Sequence, residues 1–175
     1  MAILSAQQVY NLALTTATYL VQNVAIASDI NVLDFTDTAT GIAFVESKFN
    51  PLAKNKKSTA KGLMQMLDTT KNWVENKFLG TKPSPTARMY EPTYNLRVCM
   101  TYLAYLYKKY DNDWGKAVWA FNQGNYNSTS KAGKTYYTLW LNALDKVGIS
   151  DLRENASIYD NLGNVIEIRF SPAFT

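Results

Sequence analysis

Apolar residues recur three or four apart along most of this chain and alternate only near its end. Val9, Leu12, Ala13, Leu20, Val24 and Ala27 fall on one helical face. Ser5 and Gln8, three apart at the start of that run, have the pattern of a capping box, so the spacing predicts a first helix over 5–27. Its other face carries Gln, Asn and Thr rather than charge, which suits packing on the rest of the domain or contact with a partner. A connector over 29–35 leads to a second helix over 37–48, with Thr36 or Asp37 as its cap. The segment over 62–67 reads as the start of another helical stretch, and 69–79 as a helix ended by Gly80. Glu91-Pro92 opens the longest helix, which runs to Tyr110 with Leu96, Cys99, Met100, Leu103, Leu106 and Tyr107 inward. Asp113 caps a helix from Trp114 to Asn122 that Gly124 breaks. A polar loop over 125–134 precedes a helix over 135–147 that stops at Gly148. Over 156–170 the period changes: Ile158 and Asp160, then Asn161-Leu162-Gly163-Asn164, then Val165, Ile166 and Ile168, a hairpin with a glycine turn.

One position breaks the pattern. Ala39, Ile42, Ala43 and Phe49 form the apolar stripe of the second helix, and Glu46 sits inside it. If Glu46 ends the helix with its carboxyl in water, it is ordinary. If it is buried, desolvation raises its pKa toward neutral, which is what a general acid needs. Asn50-Pro51 ends the helix just beyond, because a residue before proline avoids helical backbone.

Composition narrows the chemistry. At 175 residues and 47% apolar, the chain is one globular domain with room for a small appendage. It has no histidine, which removes Ser-His-Asp and Cys-His nucleophiles and every imidazole metal site. The single Cys99, in an apolar helix, reads as a small buried hydrophobe and cannot build an internal disulfide or a zinc cluster. What remains is carboxylate chemistry, and no cofactor or metal is expected. The net charge of +4 is uneven: residues 1–47 hold Asp29, Asp34, Asp37 and Glu46 and no Lys or Arg, and the remainder holds all 18 basic residues against ten of the 14 acids. The lysines are dispersed and no nucleic-acid motif is present, so no nucleic-acid partner is expected. No run of eighteen apolar residues suggests a membrane span.

Motifs at fixed spacing complete the reading. Glu46-Ser47 is followed by Phe49-Asn50-Pro51, then a lysine-bearing loop, then Gly62-Leu63-Met64-Gln65. Farther on, Asn95-Leu96 and Tyr102-Leu103 lie in the long helix, and Ala120-Phe121-Asn122-Gln123-Gly124 closes the next one. This resembles the lytic transglycosylases, lysozyme-like enzymes that cut peptidoglycan strands. The resemblance covers residues 36–145. The chain departs from the family pattern with Phe121 for tyrosine, Gln123 for alanine and Cys99 for glycine.

The resemblance implies a mainly α, lysozyme-like helical domain over 36–150. Before it stands an N-terminal helix over 1–35, and after it a small C-terminal β-hairpin extension over 151–175. It implies Glu46 as the catalytic acid and then base, with Ser47, Met64, Gln65, Asn122 and a tyrosine at the start of the 135–147 helix holding substrate. Tyr136 and Tyr137 both qualify for the last role, and Tyr137 is preferred. The implied reaction cleaves the β-1,4 bond between N-acetylmuramic acid and N-acetylglucosamine while the muramyl C6 hydroxyl closes a 1,6-anhydro ring. Ordinary glycosidases use two carboxyls, and residues 47–67 contain none, which favours ring closure over hydrolysis unless Asp34, Asp37 or Glu91 approaches in space. A muramidase of the goose-type kind and a non-catalytic wall-binding or virion structural protein are the alternatives. Lys48, Lys54, Lys56, Lys57 and Lys61 either steer the anionic wall polymer or are simply solvated. The expected partners are peptidoglycan glycan strands and, if this is a bacteriophage protein, other virion components. The N-terminus lacks the basic region and cleavage site of a secretory signal, which fits carriage in a virion or release at lysis.

Overall fold

The computed structural model describes residues 3–160 and the two-residue strand at 165–166. Seven α-helices follow in chain order: α1 (Ala6–Asn23), α2 (Val32–Ser47), α3 (Asp68–Lys77), α4 (Pro92–Lys109), α5 (Trp114–Gln123), α6 (Lys131–Val147) and α7 (Ile149–Glu154). Two short strands, β1 (Ile158–Tyr159) and β2 (Val165–Ile166), pair antiparallel with Ile158 opposite Ile166. The mainly α class expected from the periodicity is the class found. The Asn161-Leu162-Gly163-Asn164 turn and Ile168 lie outside the described residues.

Caps explain most helix boundaries. Ser5 and Gln8 form the reciprocal capping box, Asp113 accepts from Lys116 N–H, and Gly124 and Gly148 end α5 and α6 in the left-handed conformation. Four places differ from the sequence expectation. The first helix stops at Asn23 rather than at residue 27, because Val24 is extended and 25–27 form a separate 3-10 turn. The second helix begins at Val32, not at Asp37, because the Asn31 side chain accepts from Asp34 N–H and captures an orphan donor five residues earlier. Thr36 then lies inside the helix with its hydroxyl donating back to Val32 O. In the same way Ser130 caps α6 through Gly133 N–H, so α6 starts at Lys131 and the expected loop is shorter. The segment over 62–67 is not helical. Its backbone turns at Gly62 and Gln65, both at positive φ, and Lys61 makes bridges to Lys54 and Met66.

The core is built around α4. Leu96, Val98, Cys99, Met100, Leu103, Ala104 and Leu106 are buried on several sides of it. Val9, Ala13, Ala17 and Leu20 of α1 enter the same core, beside Phe35, Ala39, Ile42 and Ala43 of α2. The adjoining face of α1 places Tyr10 and Leu14 against Leu152, Ala156 and Ile158, which ties the C-terminal segment down. There the Asp37 carboxylate joins Tyr10 of α1 to Arg153 of α7. Helix α6 lies close to α2 because Gly41 has no side chain: a Cβ there would stand 2.8 Å from Trp140 and from Leu144. That close approach brings the α6 face carrying Tyr136 to the C-terminal end of α2. Among the described residues no helix is long and apolar enough to cross a membrane.

Candidate active site

The end of α2 is held open in an unusual way. Lys48 and Phe49 are consecutive residues in the left-handed region, with φ of 52° and 65°. Each costs on the order of 1–3 kcal/mol, a strain that persists only where the surroundings enforce it. Here Phe49 is buried against Phe44, its carbonyl accepts from Leu4 N–H, and Asn50 caps Leu52 N–H. The chain therefore leaves α2 sharply and returns across its end as the 53–66 loop. Ser47 pins that loop: its hydroxyl is 2.7 Å from Leu63 O and 3.1 Å from Ala43 O.

A second clamp comes from α4. Asn95 is fully buried, and its carboxamide oxygen accepts from Met64 N–H at 3.0 Å. Its amide donates to Met89 O and Lys61 O at 3.0 and 3.3 Å. Gly62, at φ 83°, lies so close that a Cβ would stand 2.1 Å from Met89 O and 2.3 Å from the Asn95 amide nitrogen. Only glycine fits both the conformation and the contact.

This framework shapes a cleft of about 440 Å³. The returning loop contributes Asn55, Ser58 and Gln65, α3 contributes Thr70, α4 contributes Tyr102, and α5 contributes Phe121 and Asn122. Glu46 opens into it from the end of α2 and is the one carboxylate among the described residues lining it. Burial raises the Glu46 pKa from an ordinary 4.5 to about 7, and a hydrogen bond from Tyr136 pulls it back only in part. The Tyr136 hydroxyl stands 2.9 Å from Glu46 Oε2 and is itself pushed well above a free tyrosine, first by burial and then by the neighbouring carboxylate. Cys99 lies buried beneath, its thiol driven up mainly by burial, so it is an inert part of the core.

The other carboxylates are engaged elsewhere. Asp68 pairs with Lys61, Asp37 with Arg153, and Glu91 lies 3.9 Å from Arg88 on the surface. Neither these nor Asp34 lines the cleft.

The positions picked out by the sequence fall into three groups. Glu46, Gln65 and Asn122 share the cleft. Gln65 faces it with both amide protons already committed, to Ala53 O and Gly62 O at 2.9 Å, so its oxygen is what it has to offer a ligand. Asn122 is exposed and accepts from Gln123. Ser47 and Met64 serve the frame. Ser47 spends its hydroxyl on backbone, and the Met64 side chain is fully buried among core residues, so it does not line the cleft as expected. Tyr137 is displaced by its neighbour. The buried residues of α6 are Gly133, against Trp119 of α5, and Tyr136, Trp140 and Ala143, and Tyr137 lies one position around. Its ring packs between Trp119 and Trp140, and the tyrosine at the acid is Tyr136. Spacing alone does not separate the two, since Tyr137 also stands four from Gly133 and three from Trp140; the hydrogen bond across to Glu46 does.

Residues 34–139 match the family model of the Transglycosylase SLT domain, and the chain belongs to that family. This accords with the lytic transglycosylase family expected from the motifs. Among solved structures, the 70-kDa soluble lytic transglycosylase of Escherichia coli aligns with 67% of this chain at 23% identity and a TM-score of 0.47. A complex of the 70-kDa soluble lytic transglycosylase with bulgecin A aligns with the same identity, coverage and score. This chain spans 19% of the length of each. No curated protein matches it.

Proposed function

We propose that this domain cleaves the β-1,4 bond between N-acetylmuramic acid and N-acetylglucosamine in peptidoglycan, with closure of a 1,6-anhydro ring. The observation that carries the reading is a carboxyl that stands alone among the described residues lining the cleft, with no described cation lining it and its pKa pushed up to about 7. Such a group is largely protonated below neutrality and ionises easily once its proton is spent, so one residue can serve as acid and then base. Glu46 gives its proton to the glycosidic oxygen as the bond from that oxygen to the anomeric carbon breaks. The resulting carboxylate takes the proton of the muramyl C6 hydroxyl while that oxygen bonds to the anomeric carbon, which returns Glu46 to its starting state. Tyr136 fixes the carboxyl through its hydroxyl and stabilises the charge between the two transfers. Hydrolysis would call for a second carboxylate to activate water, and among the described residues lining the cleft there is none.

The test is product analysis on purified sacculi. Mass spectrometry should find muropeptides ending in 1,6-anhydromuramic acid, one water lighter than the hydrolysis products. Products ending in reducing muramic acid would reject the proposed ring closure.

A further inference from the structure

The cleft does not stop at the acid. Thr70, Tyr102 and Gly124 line both it and a second cavity of about 260 Å³, bounded farther out by Trp73, Tyr105 and Lys109. A run of rings connects the two. Phe121 of the cleft lies 5.7 Å from Tyr102, Tyr102 stacks on Tyr105 with a 19° interplanar angle, and Tyr105 meets Trp73 edge to face at 5.1 Å. Trp73 closes the run on α3 and is 38% exposed, although Phe78 and Tyr102 also pack against it and the flexible Lys77 side chain, its ammonium 5.7 Å from the ring, must swing aside for a ligand. Most large aromatic side chains of this chain are buried or half-buried. A tryptophan left open at the end of a ring-lined channel has surface to give to a ligand.

We infer that Trp73 and Tyr105 form an outer saccharide subsite that stacks a sugar of the same glycan strand bound at Glu46. The occupant follows from the geometry. A polymer threaded past Glu46 passes Tyr102 and Thr70 into this cavity, because the same residues form both walls. The lining also suits a pyranose. Its polarised C–H face matches the negative face of an aromatic ring, and the hydroxyls of Thr69 and Thr70, with the Lys109 ammonium, suit its equatorial oxygens. This rests on the glycan-cleaving reading of the cleft.

The experiment uses the full chain as Glu46→Gln, so that ligands are not turned over, with and without Trp73→Ala. The probes are β-1,4-linked N-acetylglucosamine oligomers from dimer to hexamer, followed by calorimetry. Trp73→Ala should weaken hexamer binding about tenfold, the order expected for one lost ring contact, and leave the dimer little changed. Trp73→Phe should recover part of the loss. Unchanged hexamer affinity, or equal weakening of dimer and hexamer, overturns the outer subsite and leaves the cleft reading standing. If the chain carrying only Glu46→Gln binds no oligomer at any length, the cleft reading falls and the subsite falls with it. Thermal melting of each variant, and Tyr105→Ala as a second way to remove the stack, separate ligand loss from misfolding.

Discussion

Among the described residues two glutamates are drawn back from bulk water, Glu46 half-buried and Glu75 fully, about thirty positions apart, and they have opposite fates. Glu46 meets a tyrosine hydroxyl and an open cleft, and burial carries its pKa up to about 7. Glu75 on α3 is more deeply buried, and burial alone would raise it too, but a full set of donors outweighs that and holds it below the usual range. Lys71 Nζ stands 2.6 Å from its Oε1, Ser84 N–H reaches the same oxygen, and the Ser84 and Tyr94 hydroxyls take the other. Lys71 in turn donates to Ser84 O and Asn72, which leaves none of its protons idle. The comparison teaches that burial by itself does not make a carboxyl an acid catalyst. What counts is burial without a counter-charge. The paired glutamate instead fastens the 84–90 segment to α3 and α4, and Met89 of that segment supplies the carbonyl that Asn95 and Gly62 rest against.

Substitution is the bluntest way to break the comparison. Glu46→Gln removes the proton donor and should lower the rate of wall cleavage by about a thousandfold, within the range for losing a general acid, with no fall in melting temperature. Turbidity clearing and a melt on the same sample check both halves. A variant that clears at the parental rate would remove Glu46 from the chemistry.

Lys71→Met should do the reverse. It strands the Glu75 charge in the interior and should cost about 3 kcal/mol or more of stability. For a chain of this size that lowers the melting temperature by roughly 10 °C. Activity per folded molecule should survive, and Lys71→Met with Glu75→Leu should win back part of the loss. Equal stability of Lys71→Met and the parent would mean the pair is not the clamp described.

A smaller effect sharpens the first glutamate's side. Tyr136→Phe removes the hydrogen bond that favours the charged form of Glu46, so the carboxyl pKa should rise further. The falling limb of the pH–rate profile should move to higher pH, with a rate loss of about tenfold, the order of one hydrogen bond to a charged group. Tyr137→Phe should leave the profile in place. A shifted limb in Tyr137→Phe and none in Tyr136→Phe would reverse the assignment.

The subtlest contrast is in stability against pH. The folded pKa of Glu46 lies above its unfolded value, so between about 4.5 and 7 the folded chain holds the extra proton. Its contribution to stability is complete below that window and is lost as pH rises through 7. Glu75, with its folded pKa depressed, contributes above the unfolded carboxyl pKa and loses that contribution as pH falls through the folded value. Denaturant melts of parent and Glu46→Gln across pH 4–8 should therefore diverge as pH rises, with the parent falling behind.

Much of this was readable in the residues. The capping box at Ser5, the stripe containing Glu46, the Pro92 start of α4 and the Gly124 and Gly148 stops are local signals, and local physics decides them. The motif register puts Glu46, Gln65 and Asn122 on one cleft, and the structure does the same. What escaped depended on distant partners. Gly62-Leu63-Met64-Gln65 reads as a helix start by composition, yet Asn95, some thirty positions on, holds it as a turn and draws Met64 into the core. Lys71 and Glu75 at a four-residue spacing look like an ordinary surface pair, because nothing local says that Ser84 and Tyr94 will cover them. Tyr136 and Tyr137 are adjacent, and which one meets the acid is set by the packing of α6 on α2 at Gly41, a contact with no local signal.

The most direct test is an NMR titration of the side-chain carboxyl carbons of Glu46 and Glu75 in one sample. The account predicts a Glu46 midpoint near 7, with Glu75 titrating below the ordinary glutamate range. A Glu46 midpoint at the ordinary 4.5 would contradict it, since the cleft would then hold a spent base with no proton to give.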